Sequence, residues 1–313
     1  MTRPVTTIFG GSGFIGRYIV QHLARRGWIL RIAVRRPDQA LFLKPLGDVG
    51  QITPIAANIR NERSVAAAVA GVDAVVNLVG ILHESGPQRF AAVHAEGAQR
   101  LARAAKAAGT GRFLQVSALG ADPASPSRYA RTKAEGEAMV REQFPGAVIL
   151  RPSIVFGPED DFFNRFAAIA RLSPALPLIG GGGTRFQPVY VGDVADAATA
   201  ALLSAAAAGK TFELAGPRIY TFKQLMELML AEIDRKRILL SVPWGVARLQ
   251  AAILGLLPKP PLTLDQLKLL QQDNVAGGQL PGLTDLGVQP TGLEAILPAY
   301  LDRYRIGSRF ARA

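Results

Sequence analysis

No cysteine occurs in the 313 residues, which excludes disulfides, thiolate nucleophiles and cysteine-ligated zinc. Histidine is almost as scarce. His22, His83 and His94 have no metal-ligand spacing, so no metal is expected and all three read as surface or packing residues. Long apolar runs are missing too: the nearest, Val242 to Leu257, is interrupted by Arg248 and Gln250 and falls short of the roughly 18 residues of a membrane-spanning helix. Acids are outnumbered, 24 against 36 Lys and Arg, for a net charge of +12. That balance favours an anionic partner, whether an acidic protein, a lipid headgroup surface or a phosphorylated cofactor. No Lys/Arg block interleaved with aromatics appears inside the chain, so nucleic acid is not an expected partner. Met1-Thr2-Arg3-Pro4 runs straight into an apolar strand and leaves no room for a signal peptide, which points to a cytoplasmic chain.

What is present is a globular composition, 49% hydrophobic and 19% charged, able to bury a large core. The most informative stretch is Val5-Thr6-Thr7-Ile8-Phe9-Gly10-Gly11-Ser12-Gly13-Phe14-Ile15-Gly16-Arg17. It joins an extended strand to a glycine turn and an amphipathic helix, the start of a dinucleotide-binding unit. Gly10 permits the tight turn, Gly13 lets backbone amides approach a pyrophosphate, and Gly16 allows close helix–strand packing. The positive end of the helix Phe14 to Arg26 then faces the phosphates.

Strand-like runs recur at Val5 to Phe9, Ile29 to Val34, Ile52 to Ala56, Ala74 to Leu78, Phe113 to Val116 and Ala147 to Leu150, with helical stretches such as Arg89 to Ala108 and Ser127 to Gln143 between them. Alternation of this kind predicts an α/β fold, a doubly wound parallel sheet of Rossmann type with a smaller C-terminal lobe. Residues 1–150 form the expected dinucleotide-binding domain, its sheet completed within 186–215. Residues 151–185 and 216–313 form the expected substrate or docking lobe. Thr221 is a good N-cap for a helix from Phe222, although no Glu follows to complete a capping box.

Arg35 and Arg36 close the second strand, where NAD-selective enzymes place an acid on the adenosine ribose. A planar, always charged guanidinium suits the 2′-phosphate of NADP(H) instead; the bland alternative is a pair of solvated arginines capping a strand. Tyr129-Ala130-Arg131-Thr132-Lys133 puts a phenol and an ammonium one helical turn apart. The cation would favour phenolate and lower a pKa that starts near 10.

Gly10, Gly13 and Gly16, spaced G-x-x-G-x-x-G, together with Y-x-x-x-K, resemble the short-chain dehydrogenase/reductase superfamily. That resemblance implies adenine contacts at Asn58-Ile59 and a close backbone pass at Leu78-Val79-Gly80. It also makes Tyr129 and Lys133 catalytic in kind and sets Ser117 beside the site, with Ala118 where extended members carry the catalytic Ser or Thr. Cofactor binding survives that replacement, while turnover is put in doubt.

The runs Arg151-Pro152-Ser153-Ile154-Val155-Phe156-Gly157-Pro158 and Phe186-Gln187-Pro188-Val189-Tyr190-Val191-Gly192-Asp193-Val194, with the glycine turn, resemble the nucleotide-binding accessory subunit of respiratory complex I, the alpha subcomplex subunit nine family. The resemblance implies bound NADP(H), contacted also by Pro152 and Ile154, in an extended, atypical dehydrogenase that acts structurally. It further implies complex I subunits near the junction of the peripheral and membrane arms as partners, and a peripheral location on the cytoplasmic face of the inner membrane. Val242 to Leu249 and the arginines Arg303, Arg305, Arg309 and Arg312 form the expected docking surface, against an anionic lipid surface or an acidic subunit, with core packing of Trp244 as the alternative. Two other readings stand open: a free NADP(H)-dependent reductase or epimerase with Tyr129 as acid/base, and a redox sensor.

Overall fold

The computed structural model describes residues 3–255, 257 and 260–305. The chain begins β1 (Val5–Phe9), α1 (Phe14–Arg25), β2 (Ile29–Val34), β3 (Ile52–Ala56), α2 (Glu62–Val69), β4 (Ala74–Asn77), α3 (Glu96–Ala107), β5 (Arg112–Val116), α4 (Arg128–Gln143) and β6 (Val148–Pro152). It continues β7 (Val155–Phe156), α5 (Phe162–Leu172), β8 (Ala175–Ile179), β9 (Arg185–Phe186), β10 (Val189–Tyr190), α6 (Val191–Leu203) and β11 (Thr211–Leu214). The remainder is β12 (Tyr220–Thr221), α7 (Phe222–Glu232), β13 (Ile238–Val242), α8 (Trp244–Leu254), α9 (Leu264–Leu270) and α10 (Leu293–Leu301). Two compact units result: 1–152 with 192–214 and 278–289, and 153–191 with 215–277 and 290–313.

The first unit is a seven-stranded sheet in the order β11-β6-β5-β4-β1-β2-β3, parallel throughout. Its central strands are apolar on both sides because helices cover both faces; all four residues of β4 are buried. The chain winds outward from β1 to β3, then returns to β4 on the other side of β1. Between β1 and β4 the strand order reverses, which is the switch point at whose carboxyl ends doubly wound sheets take their ligands. Phe9, Val65, Val75, Leu101 and Phe113 belong to the core on one face, with Val5 packed against it.

The expected helix from Arg89 begins differently from a regular α-helix. Residues Ala91–Ala95 form a π-turn before α3, and α4 packs against it. A Cβ on Gly136 would lie 2.0 Å from the His94 carbonyl oxygen, so the widened turn and α4 approach each other only because position 136 has no side chain. The N-cap of α4 is Ser127, whose hydroxyl accepts from the Ala130 amide.

The second unit is built on α5, α7 and α10 around Phe163, Leu176, Met226, Met229 and Leu297, with β8 and β13 forming a parallel ribbon. Asp160 ties it together, accepting from the Phe163 amide at 2.6 Å, the Asn164 amide at 3.2 Å, the Gly157 amide at 3.2 Å and the Tyr300 hydroxyl at 2.5 Å. Thr221 does cap α7, and the box expected to be incomplete is complete, since Gln224 returns its side-chain oxygen to the Thr221 amide at 2.7 Å. Gln serves where Glu was sought. Arg303, exposed in the turn after α10, donates to Pro158 O at 3.0 Å and to Asn164 Oδ1, tying that turn to α5. Arg309 and Arg312 lie outside the described residues.

Gly136→Ala is expected to destabilise the fold by about 1–3 kcal/mol through overpacking against the π-turn. Urea unfolding of both proteins checks this, and equal midpoints would contradict it.

Candidate functional site

The glycine turn sits at the carboxyl edge of β1. Gly10 has φ +79°, a region that only glycine enters without strain, and its carbonyl accepts from Gly13 N at 3.0 Å. A Cβ on Gly16 would stand 2.5 Å from Gly10 O and 2.7 Å from Gly11 Cα. Helix α1 therefore begins directly against the turn. Gly13 is its N-cap, with no side-chain cap and no acid in the first turn, so the first-turn amides and the positive helix end are left for an anion. Gly11 and Gly16 are buried, whereas Ser12, Phe14 and Ile15 are part-exposed and Gly13 is exposed. This cradle, which a side chain would fill, fits a dinucleotide pyrophosphate.

Around the mouth, Arg17 lies over the Phe42 ring at 5.2 Å. Arg35 and Arg36 are exposed, and Arg36 is steadied by the Gln39 amide oxygen, which accepts from Nε at 3.3 Å and Nη2 at 2.9 Å. Asn58 turns its Oδ1 to the Arg60 amide at 3.1 Å, shaping the loop after β3. Ile59 is buried against Gly97 and faces the core. The Leu78 amide donates to Phe9 O at 2.9 Å, continuing the ladder past β4, and Val79 N donates to Asn77 Oδ1 at 3.1 Å. The Asn77 amide in turn donates to Gln115 Oε1 at 2.8 Å, joining the ends of β4 and β5. Pro152 closes β6 and its carbonyl accepts from Leu119 N at 2.8 Å. Ile154 belongs to the second unit, where its amide donates to Asn274 Oδ1 at 3.0 Å.

Lys133 and Gly80 converge: a Cβ on Gly80 would be 3.4 Å from Lys133 Nζ. The ammonium donates to Val116 O at 3.4 Å and lies 5.9 Å from the Tyr129 ring centroid. Tyr129 is packed edge-on to Phe90 at 5.9 Å and to His94 at 5.3 Å. The expected lowering of the phenol by Lys133 does not occur in this geometry: burial pushes Tyr129 up, to about 12. Lys133, at about 8, still carries its charge at neutral pH, so the phenol stays protonated because of its own burial. Burial lowers the ammonium to that value, against an opposing pull from Glu137. That carboxylate, itself buried, is engaged with Arg151 at 2.7 and 2.9 Å and with Arg141 at 3.7 Å. Ser117 Oγ is buried and has no hydrogen-bond partner, so it is not joined to Tyr129; Ala118 offers no hydroxyl.

His94, read from the sequence as a surface or packing residue, is a member of the site. Burial, then repulsion from Lys133, lowers it to about 2, so the imidazole is neutral. Nε2 accepts from the Ile81 amide at 3.0 Å, which requires the other nitrogen to carry the proton. Nδ1–H then donates to Thr132 Oγ1 at 3.1 Å. The Thr132 hydroxyl passes its own proton to Arg128 O at 2.9 Å or Tyr129 O at 3.1 Å. His94 thus locks the loop after β4 onto α4 beside Tyr129 and Lys133. No short-range motif signals this, because its partners are 13 and 38 residues away.

A doubly wound parallel sheet with a glycine cradle at the switch point and a Tyr-x-x-x-Lys pair on the helix after β5 defines an extended nucleotide-binding dehydrogenase or epimerase fold. The chain belongs to the NAD dependent epimerase/dehydratase family, whose profile matches residues 6–215, and within it to the alpha subcomplex subunit 9 group of NADH dehydrogenase proteins. It is 38% identical to "NADH dehydrogenase (ubiquinone) 1 alpha subcomplex subunit 9, mitochondrial" of Arabidopsis thaliana, over 97% of this chain and 78% of that one. The Mus musculus protein of the same name is 39% identical, over 96% and 80%. Among solved structures, the dTDP-glucose 4,6-dehydratase DesIV of Streptomyces venezuelae, with NAD and TYD bound, matches with a TM-score of 0.74 at 20% identity, covering 96% of each chain. That likeness carries the fold alone.

The buried ammonium gives a pH signature. Because the folded pKa of Lys133, about 8, lies below its ordinary 10.5, the unfolded chain binds a proton in that window that the folded chain has released, and stability rises with pH from about 8 to 10.5. Lys133→Met is expected to flatten that slope in urea unfolding of the ligand-free protein; an unchanged slope would assign it to other groups.

Proposed function

We propose that this chain is an NADP(H)-binding accessory subunit of the respiratory NADH dehydrogenase, and that its nucleotide holds the fold rather than turning over. The observation that carries this reading is the combination of an intact glycine cradle with an unactivated acid. Tyr129 is pushed up to about 12, and the strand beside it ends in a hydroxyl without partners followed by Ala118. When bound, a nicotinamide nucleotide supplies hydride chemistry. Here the α1 amides would hold its pyrophosphate, Lys133 would hold a ribose beside Gly80, and the Tyr129 phenol stays protonated at neutral pH, unfit as a base. The names of the relatives support complex I as the assembly. The same reading puts the chain peripherally on the cytoplasmic face of the inner membrane, next to subunits at the junction of the peripheral and membrane arms. No helix among the described residues is long and apolar enough to cross a membrane.

Arg35 and Arg36, exposed beyond β2 with no acid replacing them, support NADP(H) over NAD(H). Charge-assisted hydrogen bonds of about 1.5–3 kcal/mol each make the expected preference roughly ten- to hundredfold. Calorimetry on the wild type and on Arg35→Ala with Arg36→Ala measures it, and equal wild-type affinities for NADPH and NADH would refute it.

A ligand that binds only the folded chain stabilises it by about 2.7 kcal/mol at a hundredfold excess over its Kd. Gly13→Val, which places a side chain against Gly10 O, is therefore expected to deplete both the subunit and the assembled complex. Tyr129→Phe removes only the phenol oxygen and is expected to leave assembly and electron transfer nearly intact. Reduction of a small carbonyl compound by the isolated protein with NADPH, abolished by Tyr129→Phe, would replace this reading with that of a free reductase.

A further inference from the structure

Helix α8 is inverted relative to an ordinary surface helix. Its buried face is made of small residues, Ala247 and Ala251, which pack with Val242 and Leu267. Its large apolar residues face outward: Val246 is 48% exposed, Leu249 65% and Ile253 61%. Their spacing of three and four places them on one stripe. The neighbouring strand β13 also exposes apolar residues. Side chains alternate along a strand, so Ile238 and Leu240 share the face of Val242, the face on which α8 packs. They are 67% and 57% exposed.

The charge on this surface has one sign. From Arg235 to Leu264 the sequence contains Arg235, Lys236, Arg237, Arg248 and Lys259 and no Asp or Glu; Asp234 and Asp265 flank it. Arg235 and Arg237 are steered by carbonyls rather than carboxylates, donating through Nε to Tyr304 O at 3.1 Å and Ala170 O at 2.7 Å. Among the described residues neither they nor Arg171, Lys236 and Arg248 form an ion pair. The cluster is close enough to repel itself: Arg235 is held below the ordinary guanidinium range by desolvation and then by Arg237 and Arg171. Three unneutralised guanidiniums at the start of an exposed apolar strand are complementary to an anionic headgroup layer above acyl chains. Apolar side chains beside cations that have no carboxylate partner form the pattern of an interfacial amphipathic surface; a protein partner is the outcome that the test separates.

We infer that β13 and α8 form a membrane-docking face that lies on an anionic lipid bilayer, with Leu249 and Ile253 dipping into the acyl boundary and Arg171, Arg235, Lys236 and Arg237 among the headgroups. The inference deepens the peripheral placement proposed above by naming the face and the lipid charge. It places the anchor on β13 and α8 rather than on the C-terminal arginines, of which Arg303 is hydrogen-bonded to Pro158 and Asn164.

The test is co-sedimentation of the full-length isolated chain with phosphatidylcholine vesicles, with and without phosphatidylglycerol. Binding is expected only with phosphatidylglycerol, and is expected to fall with added salt. Leu249→Glu with Ile253→Glu is expected to lower partitioning at least tenfold. Lys236→Glu with Arg248→Glu, which removes two cations near the surface, is expected to lower it by about fivefold or more per cation. Thermal melting and NADPH binding serve as fold controls, because all four side chains are exposed. Absence of vesicle binding, or binding that both double variants leave unchanged with the fold intact, overturns the inference. If instead the variants lose only co-purification with complex I and not vesicle binding, the face is a subunit interface and the lipid assignment fails, while the accessory-subunit reading stands. Intact vesicle binding with no trace of the chain in complex I gives the opposite separation.

Discussion

Everything at the nucleotide site depends on how closely α1 approaches the end of β1. A methyl group at Gly16 would overlap the backbone of Gly10 and Gly11, at 2.5–2.7 Å, so the helix reaches its position only as long as that side chain is missing. The proximity fixes the direction of the helix, and with it the direction in which the first-turn amides point. The order of the sheet does the rest: β4 lies next to β1, so Leu78 to Gly80 border the same switch point. A dinucleotide cradle is thus the consequence of one steric allowance combined with one reversal of strand order.

The floor of the site is polar and buried, and its electrostatics explain why a catalytic pair is present in form without being poised in chemistry. Lys133 has a carboxylate one turn away, Glu137, but Arg151 takes that carboxylate in a bidentate grip. A buried ammonium with a carbonyl partner at 3.4 Å sheds its proton more easily than a solvated one, yet at about 8 it is still charged at neutral pH; the burial of the phenol itself is what holds Tyr129 up. His94 adds no charge, since burial keeps it neutral, and uses both ring nitrogens to join the loop after β4 to α4. The π-turn that carries it is the geometric adjustment that brings the imidazole to that position, and Gly136 is the residue on α4 that permits it.

Legibility in the sequence followed the range of each interaction. The glycine turn, the strand–helix alternation and Tyr129 with Lys133 were readable because each is a pattern within a few residues, set by backbone sterics or helical period. β1, β2 and β3 appear with the bounds read from their apolar runs. What escaped reading was long-range. The role of His94 arises from Ile81 and Thr132, and the state of Tyr129 from burial by Phe90 and His94. A Y-x-x-x-K spacing reports that two groups share a face; it does not report the dielectric around them, which here outweighs their mutual effect. The capping box on α7 is less visible for a smaller reason: Gln224 makes the bond that Glu commonly makes.

The two apolar helical faces of the chain show why periodicity alone does not define a core. In α1 the large residues Ile19, Val20 and Leu23 are buried, and the outward face carries His22, Arg25 and Arg26. In α8 alanines are buried and Val246, Leu249 and Ile253 face out. Hydrophobic content would rank the second helix as the better core element, yet it buries less. A segment that presents its larger apolar residues to the outside, next to cations with no acids between them, pays a hydration cost in water that a headgroup–acyl boundary removes. The cost is incurred on two consecutive elements, one strand and one helix. Scattered exposed leucines need no explanation; a stripe with helical spacing next to an apolar exposed strand, with charge of one sign around both, calls for a medium that is apolar within and anionic at its surface.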